Sequence, residues 1–149
     1  MGGTRTVAGW KEALEELNLQ ASPALVVNSD DWSAVNGERG MRTLLSQEPE
    51  VDAVFASSDQ IALGAMGIAH QLGRRVPQDL AIVGFDNTPE AAFFWPPLST
   101  IYQQLVDVGR IAVKNLHEMI LSRQSQNEPR PPSSSMLKPE LIVRASSSV

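Results

Sequence analysis

Apolar residues recur at helical spacing near the start of the chain. Val7, Trp10, Ala13, Leu14 and Leu17 share one face over residues 7–19, and the opposite face is charged. Pro23 ends the connection that follows, and Ala24-Leu25-Val26-Val27 reads as a short buried strand. Ser33 is placed to cap a second helix over 34–46. Residues 51–56 predict a second strand. Ser57, with Gln60 three positions on, makes a capping box that opens a third helix through Leu72, and Gly73 terminates it. Residues 80–84 predict a third strand, 103–122 a fourth helix and 137–144 a last strand. Helices and strands alternating with short connections predict an α/β fold, a parallel sheet flanked by helices. The chain opens on a helix where a βαβ unit opens on a strand, so the expectation is a partial sheet and a fragment.

The third predicted strand delivers a carboxylate, Asp86, just past Gly84 and into Asn87-Thr88-Pro89. Open α/β sheets bind ligands beyond the carboxyl ends of their strands. An Asp there is placed to accept hydrogen bonds from a polar small molecule. An aromatic loop, Phe93-Phe94-Trp95, and two prolines follow. Crowded aromatics on a surface loop suit an interface.

Composition narrows the classes further. The 149 residues suit one full-sized core. A net charge of −5 with scattered Lys and Arg argues against this chain gripping nucleic acid by itself. With no cysteine, disulfides and thiolate chemistry are excluded. No run approaches the roughly 18–20 apolar residues that span a bilayer. The two histidines, His70 and His117, fall on predicted helices, and no nucleophile elbow or phosphate loop occurs. The sequence therefore offers no catalytic residue, no metal constellation and no cofactor site, and the expectation is a protein that is not an enzyme.

Six words occur in order: Asp31-Trp32-Ser33-Ala34, Ser58-Asp59-Gln60-Ile61-Ala62-Leu63-Gly64-Ala65-Met66, Arg75-Val76-Pro77-Gln78-Asp79-Leu80, Val83-Gly84-Phe85-Asp86-Asn87-Thr88, Pro97-Leu98-Ser99-Thr100-Ile101 and Leu137-Lys138-Pro139-Glu140-Leu141-Ile142-Val143-Arg144. Together they resemble the effector-binding core of the lac-repressor family of bacterial transcription regulators, over essentially the whole chain. That resemblance implies a periplasmic-binding-protein-like core of two α/β lobes with a small ligand between them. Residues 1–101 would form the second lobe without its first strand, and 102–123 a crossover helix belonging to the first lobe. Residues 124–136 would be a flexible linker, and 137–149 a returning strand and tail. The helix-turn-helix head that holds operator DNA would lie outside this chain.

The resemblance also implies site residues, each with a plainer alternative. Asp86 corresponds to an effector-contacting carboxylate, or else caps its turn. Trp32 corresponds to a ring packed on the ligand, or else staples the start of the 34–46 helix. Ser58 stands where relatives place an Asn or Asp on the ligand, though capping suits it equally. The arginine that relatives carry on the first helix is Thr6 here. Arg5 sits one residue earlier, a rotation of about 100° on a helix. Leu63, Phe93 and Phe94 correspond to a homodimer interface, or else pack on their own lobe. The implied function is sugar sensing by a cytoplasmic dimeric regulator, with no membrane partner. The alternative is a periplasmic sugar-binding protein of a transporter.

Overall fold

The computed structural model describes residues 3–124 and 136–148. The chain divides into two compact units, one of residues 1–101 with 141–149 and one of 102–140. The first unit carries helix α1 (Gly3–Glu16), a 3-10 turn (Pro23–Leu25), α2 (Ala34–Gln47), strand β1 (Ala53–Phe55), α3 (Asp59–Gln71) and β2 (Ala81–Phe85). A second 3-10 turn (Pro89–Phe93) leads to β3 (Ser99–Tyr102), and β4 (Glu140–Ile142) comes late in the chain. The sheet order is β1-β2-β3-β4. β1 pairs with β2 in parallel, Val54 opposite Ile82, and β2 pairs with β3 in parallel, Gly84 opposite Thr100. The α/β class and the parallel sheet expected from the sequence are what the chain forms.

The core of the first unit lies between the α2–α3 pair and one face of the sheet. Met41 and Leu44 of α2 and Ile68 of α3 meet Leu80, Ile82 and Leu98 there, all buried. The two helices approach to backbone contact. A Cβ at Gly37 would overlap the Ile61 carbonyl, and one at Gly64 would overlap the Ala34 carbonyl, so each helix needs its glycine where the other crosses.

Several boundaries differ from the pattern, each for a local reason. α1 stops at Glu16 rather than running to Leu19. Asn18 turns left-handed (φ 57°) and Leu19 N–H bonds back to the Leu14 carbonyl, a C-terminal cap. Residues 24–27 are not a strand. Their N–H groups are spent on a turn, Leu25 to the Ser22 carbonyl and Val26 to the Pro23 carbonyl, which leaves no ladder. The cap of α3 is Ser58 and not Ser57, because the Ser58 hydroxyl is the one that accepts Ile61 N–H, at 3.1 Å. The fourth helix, α4 (Leu105–Gln124), begins two residues late because Gln104 is left-handed (φ 53°). The last strand shrinks to Glu140–Ile142, since Pro139 has no N–H to give and Arg144 N–H goes to the Ser99 hydroxyl. β3 was not foreseen at all.

The second unit consists of α4 and the segment leading to β4. Val108, Ile111, Ala112, Asn115 and Leu137 line a shallow hollow beside the helix. The heart of the predicted linker, residues 125–135, lies outside the described residues. Among the described residues no helix is long and apolar enough to cross a membrane.

Candidate functional site at the carboxyl edge of the sheet

Because β1, β2 and β3 run parallel, their carboxyl ends share one edge, and the loops that leave them gather there. Ser58 follows β1, Asp86 follows β2 and Ile101 lies in β3. The loop bearing Trp32 reaches the same place, since the Ser58 hydroxyl donates to the Trp32 carbonyl at 3.5 Å. Asp86 N–H bonds to the Ile101 carbonyl at 2.9 Å, tying the β2 turn to β3. The fold thus brings Trp32 and Ser58 together and sets Asp86 on the same edge. Arg5 is within α1, but its side chain lies outside the described residues.

Each residue is held by its own local chemistry. Trp32 sits inside an Asx turn in which the Asp31 carboxylate accepts Ser33 N–H at 2.8 Å. Hydrogen bonds from the Ser33 and Asn36 side chains, with that backbone bond, hold the Asp31 carboxyl below the ordinary carboxylate range. Ser33 in turn caps α2 by accepting Asn36 N–H. The backbone of Trp32 is therefore pinned on both sides while the residue stays 61% exposed. Ser58 is buried (4% exposed) and spends its hydroxyl on the α3 cap and on Trp32.

Asp86 and Asn87 form a turn with φ 113° and 54°. Side chains with a Cβ rarely occupy that half of backbone space, and such a turn persists only where the surroundings fix it. Behind it lies a polar cluster that the sequence did not disclose. Asp59, the first residue of α3, is fully buried. One of its carboxylate oxygens accepts Thr88 N–H at 2.7 Å and the other accepts the Thr100 hydroxyl at 2.5 Å. Thr100 also accepts Asn87 N–H at 3.2 Å. The Arg144 guanidinium donates to the Asn87 side-chain oxygen at 2.8 Å and to the Leu98 carbonyl at 2.7 Å. Ser146, also buried, accepts Ser99 N–H and donates to the Ile82 carbonyl at 2.6 Å. No sequence signal marked this cluster, because an Asp after a helix cap looks like an ordinary first-turn acid.

The aromatic loop splits its residues between two directions. Phe93 is 87% and Trp95 93% exposed, while Phe94 is half-buried and packs on the core. Leu63 is partly exposed on α3. His70 and His117 are both exposed on helices. Among the described residues no group of three or more Asp, Glu or His is placed to hold a metal ion.

An open parallel lobe with a polar carboxyl edge is the pattern of a ligand-binding half. Residues 2–147 match the periplasmic binding protein-like domain, and the chain belongs to that family. Its relatives are lac-repressor-type transcription regulators. It is similar to the HTH-type transcriptional repressor PurR of Escherichia coli O1:K1 / APEC, with 34% identity over 144 residues, 97% of this chain and 40% of PurR. Among solved structures it resembles the transcriptional regulator CelR in its cellobiose complex (32% identity, TM-score 0.84, 97% of this chain and 42% of that one). It also resembles the lac repressor dimer bound to operator and the anti-inducer ONPF (29% identity, TM-score 0.81, 96% of this chain and 47% of that one). The chain thus spans less than half the length of each of these proteins.

Proposed function

We propose that this chain is the effector-sensing part of a lac-repressor-type transcription regulator, acting in the cytoplasm without catalysing a reaction. It binds a polyhydroxylated small molecule, a sugar or sugar derivative, at the carboxyl edge of its sheet. Asp86 accepts hydrogen bonds from ligand hydroxyls, the exposed face of Trp32 stacks on an apolar ligand face, and Ser58 holds the Trp32 loop against the helix cap. Arg5, from the first helix, is assigned to the same ligand. Operator DNA is held by a head outside this chain.

The observation that carries this reading is that Trp32 and Ser58 are bonded at 3.5 Å on the carboxyl edge of the sheet, the edge at which β2 delivers Asp86. The CelR structure supports the ligand class, since that relative is seen with cellobiose. Self-association falls to Phe93, Trp95 and Leu63, which are exposed, and a dimer is the form in which the related lac repressor is described. Phe94 supports that surface from behind. A ligand that favours one arrangement of the regulator shifts the balance only by its differential affinity for the two states.

The test is a thermal unfolding scan of the chain against cellobiose, other sugars, sugar phosphates and purine bases. A midpoint raised by one sugar, and no longer raised in Asp86→Ala, is the expected result. A response to a purine base alone overturns the sugar assignment. A sugar response that survives Asp86→Ala overturns the role of Asp86.

A further inference from the structure

We propose that Asp59 and Thr100 are a positioning pair that sets the backbone of the Asp86–Asn87 turn, and through it the direction of the Asp86 carboxylate. The inference rests on the reading of Asp86 as a ligand contact. An acidic residue in the first turn of a helix ordinarily stays in water and faces the helix N-terminus. Asp59 instead is fully buried and points at the sheet. Burying a carboxylate is costly unless hydrogen bonds replace its water. Those bonds go to Thr88 N–H and the Thr100 hydroxyl, so the burial is spent on the turn that follows β2.

Three consecutive amides after the strand have fixed acceptors. Asp86 N–H goes to Ile101, Asn87 N–H to Thr100 and Thr88 N–H to Asp59. The last two converge on one buried cluster, which overdetermines a backbone that would otherwise avoid φ of 113° and 54°. Gly84 completes the device. A Cβ there would overlap the Asp59 carboxylate oxygen that Thr100 holds, so the strand leaves that space empty for Asp59. Asp59 and Thr100 are too deeply buried to meet a ligand themselves.

The experiment is amide hydrogen exchange on the full chain, read residue by residue by NMR, for wild type, Thr100→Val and Thr100→Ser. Val matches the shape of Thr but removes the hydroxyl, and Ser retains it. In Thr100→Val the Asn87 and Thr88 amides are expected to exchange on the order of tenfold faster or more, relative to Ala81 and Leu72. Thr100→Ser is expected to restore them. Unchanged protection at Asn87 and Thr88, or an equal loss at all four amides, overturns the positioning role. Asp59→Ala is expected to act in the same direction more strongly, and Thr100→Val decides the matter if that variant does not fold. The two readings separate cleanly. If Thr100→Val loosens the turn but Asp86→Ala leaves every ligand response intact, the ligand role of Asp86 fails and the pair stands. If the turn stays protected in Thr100→Val, the pair fails whatever Asp86 binds.

Discussion

Gly84→Ala adds one methyl group near the carboxyl end of β2, where the chain has almost no room. The new Cβ would overlap an Asp59 carboxylate oxygen and stand 2.8 Å from Leu98 Cδ2 and 3.4 Å from Asp59 Cα. Leu98, Thr100 and Asp59 are all fully buried, so none can swing into solvent. Overpacking of this kind costs about 1–3 kcal/mol. Displacing Asp59 from the Thr100 hydroxyl, now at 2.5 Å, forfeits a charge-assisted bond of about 1.5–3 kcal/mol. The two terms overlap, because one movement relieves the first by incurring the second, and together they amount to about 3 kcal/mol. With a urea dependence of about 2 kcal/mol per molar for a chain of this size, the midpoint falls by about 1.5 M. Gly67→Ala is the matched control, since it lies within α3 and a Cβ there meets nothing within 4 Å. Alanine in a helix interior should raise stability by up to about 1 kcal/mol. Urea unfolding followed by circular dichroism measures both. Equal effects from the two substitutions, or a Gly84→Ala loss under about 0.5 kcal/mol, would refute the claim that the strand is hollowed out for Asp59.

Asp86→Ala should weaken binding of an active sugar about 10- to 100-fold by calorimetry, the loss expected for charge-assisted bonds. Ser146→Ala strips a buried partner from both Ser99 N–H and the Ile82 carbonyl, and should cost about 2–4 kcal/mol in urea unfolding. Phe94→Ala should lower stability by removing a core contact, whereas Phe93→Ser with Trp95→Ser should reduce self-association in analytical ultracentrifugation and lower melting only by what association supplies. Asp79 is bonded by the Arg75 side chain and backbone, which holds its carboxyl far below the ordinary range. A depressed folded-state pKa contributes stability above the unfolded value near 3.9, and that stability is lost as pH falls below it. Wild type should therefore melt above Asp79→Asn at pH 7, and the gap should narrow as pH drops from 5 toward 2 in thermal scans.

Patterns within one element were the readable part. The apolar face of α1, the cap at Ser33 and the stop at Gly73 are local, and so is the run that becomes β2. Where two adjacent residues had equal local credentials, as with Ser57 and Ser58, only the approach of the Trp32 loop and the first turn of α3 decided between them. β3 escaped because Ser99 and Thr100 look like loop residues after two prolines, yet both are buried and bonded by distant partners. The Asp59–Thr100 contact spans 41 positions, Arg144–Asn87 spans 57 and Ser146–Ile82 spans 64. No periodicity encodes such pairs. On the candidate edge Asp86 was legible as chemistry and Trp32 and Ser58 only through the family resemblance; the machinery that holds them was not legible.

The two glycines at the helix crossing have a consequence for how binding energy is used. With Gly37 set against the Ile61 carbonyl and Gly64 against the Ala34 carbonyl, the first turns of α2 and α3 are fixed backbone to backbone. Those turns begin at Ser33 and Ser58, one just after Trp32 and the other bonded to it. If the edge binds a ligand as proposed, the floor under it is already assembled, and ordering that floor draws nothing from the free energy of association. On the proposed reading, the affinity this edge supplies is left over for discrimination among ligands.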